Sequence, residues 1–307
     1  MKATMQMAVW GIVMVAILSL AMCSAAAGNT NTNSGSVKSR RQAPPKVEKA
    51  SGVIGREIRS DSNQPIAKIS ELMVELQCGR VLYGIVSLSS TNGTPDRLVA
   101  VAPEAFLADG NKLRVIGGDQ KLLGAPQYFK GDARQVEMES PAFVMSVYKW
   151  FGQDTWWEPG TETPDFMSIF KVSELTGMKV RGIADQKIGI VDNVMVDLSN
   201  GRVSYVILSP DPSLHLAGNN LYAVPPNSLT SANDGGSLNT SIDRDKLAAA
   251  PRFDKNHWPD MSNPAWASQV YQAYGKQAFF EDGTLLPTSR RTNSSQRIYH
   301  EPEKTKP

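Results

Sequence analysis

Residues 200–211 read NGRVSYVILSPD, and residues 78–89 read CGRVLYGIVSLS. In the later stretch Val203, Tyr205 and Ile207 alternate with Ser204, Val206 and Leu208 after an Asn-Gly pair; before it, Val194, Val196 and Leu198 alternate with Met195 and Asp197. Period-two alternation about Asn-Gly is a strong hairpin pattern, because a type I′ turn needs positive φ at both central residues. Asn200 and Gly201 are therefore the expected structural turn. Gly79 takes the matching place in the earlier stretch, where Cys78 replaces the asparagine and predicts a looser turn. Apolar residues on both faces of the returning strands predict a sheet covered on both sides, as in a small closed barrel carrying a docked helix.

The two stretches align in one register, with Gly55 on Gly177, Ile66 on Ile188, Met73 on Met195, Arg80 on Arg202 and Tyr83 on Tyr205, each pair 122 positions apart. Small changes of offset follow: Pro103 meets Pro226 and Pro126 meets Pro251, as expected when length varies in loops. The match extends to SPAFVMSVYKWFG (140–152) over NPAWASQVYQAYG (263–275). Here Ser140 or Asn263 can cap a helix, Pro141 or Pro264 suits its first turn, and Gly152 or Gly275 can close it. Phe143, Val147 and Phe151, like Trp266, Val270 and Tyr274, recur at i, i+4 and i+8, so each helix is expected to seal its own barrel with one apolar stripe.

These residues resemble the PRC-barrel domain family, named for the H subunit of the photosynthetic reaction centre and shared with a ribosome-maturation factor. The resemblance rests on the strand ending in VDL, the NGRVSYVILS hairpin, YAVPPNSL (222–229) and KLAAAPRFDKNHWPDM (246–261), with a weaker copy in VAVAPEAF (99–106) and KLLGAPQYF (121–129). It implies a mainly β chain of two tandem small antiparallel β-barrels, each followed by a short amphipathic helix. It also implies docking to proteins or membrane-bound complexes, and no catalytic residues.

The chain has 307 residues, 41% hydrophobic and 20% charged, which suits a globular protein with real cores, and 32 basic against 30 acidic side chains leave no global field for nucleic acid. His215, His257 and His300 stand apart, without a carboxylate or cysteine at ligand spacing. No phosphate-binding loop, dinucleotide fingerprint or nucleophile elbow occurs. Asp185, Asp192 and Asp197 are expected at solvated positions and not as an acid/base pair. No catalytic, cofactor-binding or metal site is expected.

The chain opens with a lysine, an apolar run from Met7 to Cys23 and the small residues Ala25-Ala26-Ala27, the pattern of a signal peptide over residues 1–27. Retained, the run 7–23 would approach the length of a membrane anchor, and Lys38, Arg40 and Arg41 would favour a cytoplasmic body. Cys23 is also a candidate for lipidation, since LAMC resembles a bacterial lipobox, although Met22 replaces the expected small residue. Cleavage would leave Cys78 as a lone thiol without an internal disulfide.

Residues 28–49 read as a flexible basic linker whose Lys38, Arg40, Arg41, Lys46 and Lys49 could touch an anionic surface. The two units are expected at 50–153 and 172–276, joined by a connector at 154–171 and followed by a polar tail at 277–307. Trp156 and Trp157 in the connector either fill the junction or bind a partner. The expected protein is a non-enzymatic binding or scaffolding module of the bacterial cell envelope, exported to the periplasm, with an envelope protein or membrane complex as partner. The alternatives are a membrane-anchored adaptor docking from the cytoplasmic side and an enzyme with an unrecognised site.

Overall fold

The computed structural model describes residues 44–89, 97–157, 164–216, 218–278, 280–281 and 284–285. The chain is mainly β. The first series of elements is β1 (Glu48–Lys49), α1 (Ala50–Val53), β2 (Glu57–Arg59), β3 (Pro65–Glu75), β4 (Arg80–Leu88), β5 (Leu98–Val101), β6 (Phe106–Asp109), β7 (Lys112–Val115), α2 (Gly118–Leu123), β8 (Gln127–Tyr128), α3 (Asp132–Met138) and α4 (Pro141–Trp150). The second is β9 (Ile169–Lys171), α5 (Val172–Leu175), β10 (Lys179–Arg181), β11 (Lys187–Asp197), β12 (Arg202–Pro210), β13 (Asn220–Val224), β14 (Leu229–Ser231), β15 (Ser237–Thr240), α6 (Arg244–Ala249), β16 (Arg252–Asp254) and α7 (Pro264–Ala273).

Strand pairings recur 122 positions apart. Met73 lies opposite Tyr83 as Met195 lies opposite Tyr205, and both long hairpins carry bulges at matching places. These bulges bend the strands and let the sheet wrap its core. Tyr83 and Tyr205, fully buried, donate to the carbonyls of Met138 at 2.9 Å and Met261 at 3.3 Å.

The expected pair of separate closed barrels is not what the strands form. All sixteen strands named above belong to one sheet, with the path β14-β15-β10-β11-β12-β4-β3-β2-β7-β6, and it is not closed. The physical reason lies in hydrogen bonds that cross between the halves. At the centre Arg80 opposes Arg202, Val81 N–H donates to the Gly201 carbonyl at 3.1 Å, and Val203 N–H donates to that of Gly79 at 3.0 Å. On the flanks the short strands change sides: β1 lies on β11 with Lys49 opposite Met195, and β9 lies on β3 with Lys171 opposite Met73.

Two boundaries therefore shift. The linker expected over 28–49 ends in a strand of the sheet, and so does the connector expected over 154–171. Strands of two or three residues carry no readable periodicity, so only their partners reveal them.

The turns differ from expectation as well. Leu198–Asn200 forms a 3-10 turn and only Gly201 is left-handed, at φ 59°, which Gly79 shares. Neither Asn200 nor Cys78 needs positive φ, so cysteine does not loosen the first turn.

The helix ends follow their punctuation. Ser140 accepts from Phe143 N–H, Asn263 accepts from Ala265 N–H, and Gly152 and Gly275 stand at φ 67° and 65°. The buried seams are Val144, Val147, Tyr148 and Phe151, and Ala267, Val270, Tyr271 and Tyr274. Phe143 and Trp266 are only partly buried, because the seam follows i, i+3, i+4 and i+7 rather than a strict i+4 line.

Candidate binding cleft

Two buried carboxylates fasten the exchanged strands. Glu75 accepts from Cys78 N–H at 2.5 Å in its own turn and from Ser168 N–H at 3.1 Å, just before β9. Asp197 accepts from Asn200 N–H at 3.3 Å in its own turn and from Lys46 N–H at 3.2 Å, just before β1. Lys46 and Ser168 are themselves 122 positions apart. A short acid at the end of each hairpin thus satisfies a turn and the arriving strand together.

The bulges add a second tie: Glu71 accepts from the Ser173 hydroxyl, while Asn193 donates to the Ser51 hydroxyl at 2.9 Å. Asp197, 2% exposed, is consequently a structural cap and not the solvated residue expected. Asp185 pairs with Arg181 at 2.6 Å and Asp192 with Lys255 at 3.8 Å.

An opening lies in the first half. Two adjoining cavities of about 380 and 440 Å³ share Ser70, Leu98, Tyr128, Phe129 and Lys130 as lining. Ile85, Leu98, Tyr128 and Phe129 make an apolar wall, and Lys68, Arg97, Lys130 and Lys171 supply cations. The lining carboxylate, Glu71, is engaged by Leu72 N–H and by Ser173. Lys171 is held by Glu174 at 2.8 Å, whereas Lys68 and Lys130 make no ion pair among the described residues. Burial pushes the Tyr128 hydroxyl up, so it enters the cleft as a neutral donor and acceptor at ordinary pH.

The corresponding region of the second half carries a packed tryptophan. Tyr128 opposes Leu98 across β8 and β5, and Phe253 opposes Leu221 across β16 and β13. Trp258 packs on Phe253 with ring centroids 4.8 Å apart, and Lys49 sits 3.6 Å over the Trp258 ring. Lys255, the counterpart of Lys130, is paired with Asp192.

Trp156 and Trp157 lie at the junction of the halves. Their rings meet edge to face at 4.4 Å, both approach Phe166 at 6.0 Å, and Arg80 stands 5.3 Å over Trp156. Trp157 is 3% exposed, which leaves it little surface to offer a partner in this state. Beside them burial lowers Arg80, and burial with Arg80 close by brings Arg202 down to about 9.

Of the five basic residues expected at a surface, Lys46 pairs with Glu48 at 3.4 Å and Lys49 is spent on Trp258. Lys38, Arg40, Arg41, Cys23, the signal pattern over 1–27 and the apolar run 7–23 lie outside the described residues. Among the described residues no helix is long and apolar enough to cross a membrane, and no group of histidine, cysteine or acidic side chains could hold a metal ion. The cleft itself was missed by sequence reading: Lys68 and Lys130 lie about sixty positions apart, and neither stands in a motif.

The hairpin of β11 and β12, with β13 and α6 after it, is the part that decides kinship. Residues 167–247 match the PRC-barrel domain family. The PRC-barrel match begins ahead of β9, so that strand, which falls where a connector was expected, belongs with the matched segment. It stops within α6, and the first half lies outside it. No curated protein matches the chain. A PRC-barrel domain suggests a module for binding or scaffolding.

Proposed function

We propose that the protein is a non-enzymatic binding or scaffolding module of the bacterial cell envelope, built from two PRC-barrel-like units fused through exchanged strands. The observation that carries this reading is the asymmetry between equivalent regions: one half has an open cleft with lysines that make no ion pair among the described residues, while the other packs Trp258 on its aromatic wall under Lys49. A protein selected only to fold would gain from filling both, since apolar surface left in water forgoes about 25 cal/mol per Å².

The leader pattern at 1–27 supports export. The partner is an envelope protein or membrane complex, with no role for nucleic acid or a cofactor. Trp156 and Trp157 serve the junction in this reading.

Cell fractionation with sequencing of the mature N-terminus tests the location: an envelope-associated chain beginning at Gly28 is expected, and an uncleaved cytoplasmic chain would refute export. Cross-linking in intact cells tests the module. Specific capture of an envelope component is expected, and a catalytic turnover traced to a defined residue would displace the binding role.

A further inference from the structure

We infer that the open cleft of the first half is a site for a small amphipathic anion, whose carboxylate or phosphate head is met by Lys68, Arg97 and Lys130 and whose apolar body lies on Ile85, Leu98, Tyr128 and Phe129. This inference rests on the reading of the protein as a binding module and specifies what one of its sites accepts.

The comparison of equivalent positions carries the argument. Where the first half has Lys68, Ser70 and Arg97, the second has Ile190, Asp192 and Asn220. Each substitution removes positive charge or adds negative charge in the second half. Lys130 and Lys255 are both lysines, yet Lys255 is neutralised by Asp192, and Trp258 occupies the aromatic wall with Lys49 above it. Both halves solve the same packing problem with the same strand register, so folding alone does not call for cations in one and a plug in the other.

Like charges gathered beside an apolar wall repel one another and hold their hydration at a cost, and an anion with an apolar body relieves both. The cavity volumes suit a small organic ligand, since such sites usually span about 300–1,000 Å³. Arg134, 4.3 Å over the Phe129 ring, stiffens that wall and adds positive potential. Arg97 is braced by the Leu123 carbonyl, which leaves its remaining N–H groups for a ligand. The lining is mixed in character, with Ser70 and Ser87 beside the apolar side chains, and its volume suits a single short chain or ring.

Isothermal titration of the whole mature chain with octanoate, octyl phosphate and neutral octanol provides the test. One-to-one binding of an anionic probe is expected, weakening with added salt, with octanol at least about tenfold weaker. Octanoate and octyl phosphate together distinguish a carboxylate head from a phosphate head, and preference for either supports the site. The Lys68→Gln/Lys130→Gln double variant should lose about tenfold or more in affinity, Lys130→Glu more still, and Lys255→Gln should stay within about twofold of the parent. Because Lys68 and Lys130 are exposed, unchanged melting temperatures will show that these variants fold. Equal affinity for octanol, no binding of either anion at millimolar concentration, or indifference to the double variant would overturn the site. Envelope cross-linking that persists in the double variant would then leave the module reading standing without this ligand.

Discussion

Asp197 is 2% exposed and serves two backbone segments at once, the turn of its own hairpin and the arriving Lys46 from the other half. Replacing it with alanine would leave one buried and one half-buried backbone N–H group unanswered, and a buried group of this kind costs about 1–3 kcal/mol. Asp197→Ala is expected to lower stability by about 2–4 kcal/mol in urea unfolding, and a change below about 0.5 kcal/mol would contradict the clasp. Gly201 sits at φ 59° with room for a Cβ only 3.2 Å from Pro103 Cγ. Gly201→Val combines left-handed strain with that contact and should cost about 2 kcal/mol or more by the same measurement.

Glu75 has a shifted proton affinity. Burial pushes its carboxyl above the ordinary 4.5, against the opposing N–H bonds of Cys78, Gln77, Ser168 and Met167. A carboxyl raised in the folded state holds its proton more tightly there than in the unfolded chain. Its contribution to stability is therefore highest below about pH 4.5 and declines as pH rises through the raised value. The stability of Glu75→Gln relative to the parent should accordingly improve between pH 4 and pH 7. A difference that stayed flat across that range would remove the burial account. Glu48 behaves oppositely. Burial would raise it, but Arg56 and Lys46 outweigh burial and lower it, so its contribution is present above pH 4.5 and fades as acid protonates it.

Among the elements, the hairpins and terminal helices were legible before any coordinates, because alternation, turn glycine and capping residues act over a few positions. The short strands were not legible. In β9, Phe170 is 7% exposed and lies opposite Val74 of the other half, although nothing in Ile169–Lys171 distinguishes a strand from a linker. Phe170→Ala should cost about 3–5 kcal/mol, and the loss should appear in hydrogen exchange of β3 as strongly as in that of β9. Protection lost from the second half alone would contradict the exchange of strands. The cleft belongs to the same class of feature: Lys68, Arg97 and Lys130 come from β3, the approach to β5 and the segment after β8, and only the folding of the sheet brings them together.

For the whole molecule, reciprocal strands and a shared central pairing imply that neither half has a complete sheet without the other. Scanning calorimetry of the mature chain should therefore show one cooperative transition, with calorimetric and van't Hoff enthalpies in agreement. Two resolved transitions would mean that the halves unfold as separate bodies. The sequence by itself determined the mainly β character, the recurring register and the helix ends, since periodicity, turn chemistry and capping are local consequences of residue type. Only the tertiary structure decided which half each short strand joins, that the sheet runs on instead of closing twice, and which lysines remain without a counter-charge. Those outcomes depend on partners brought close by folding across more than a hundred positions, and no local pattern encodes them.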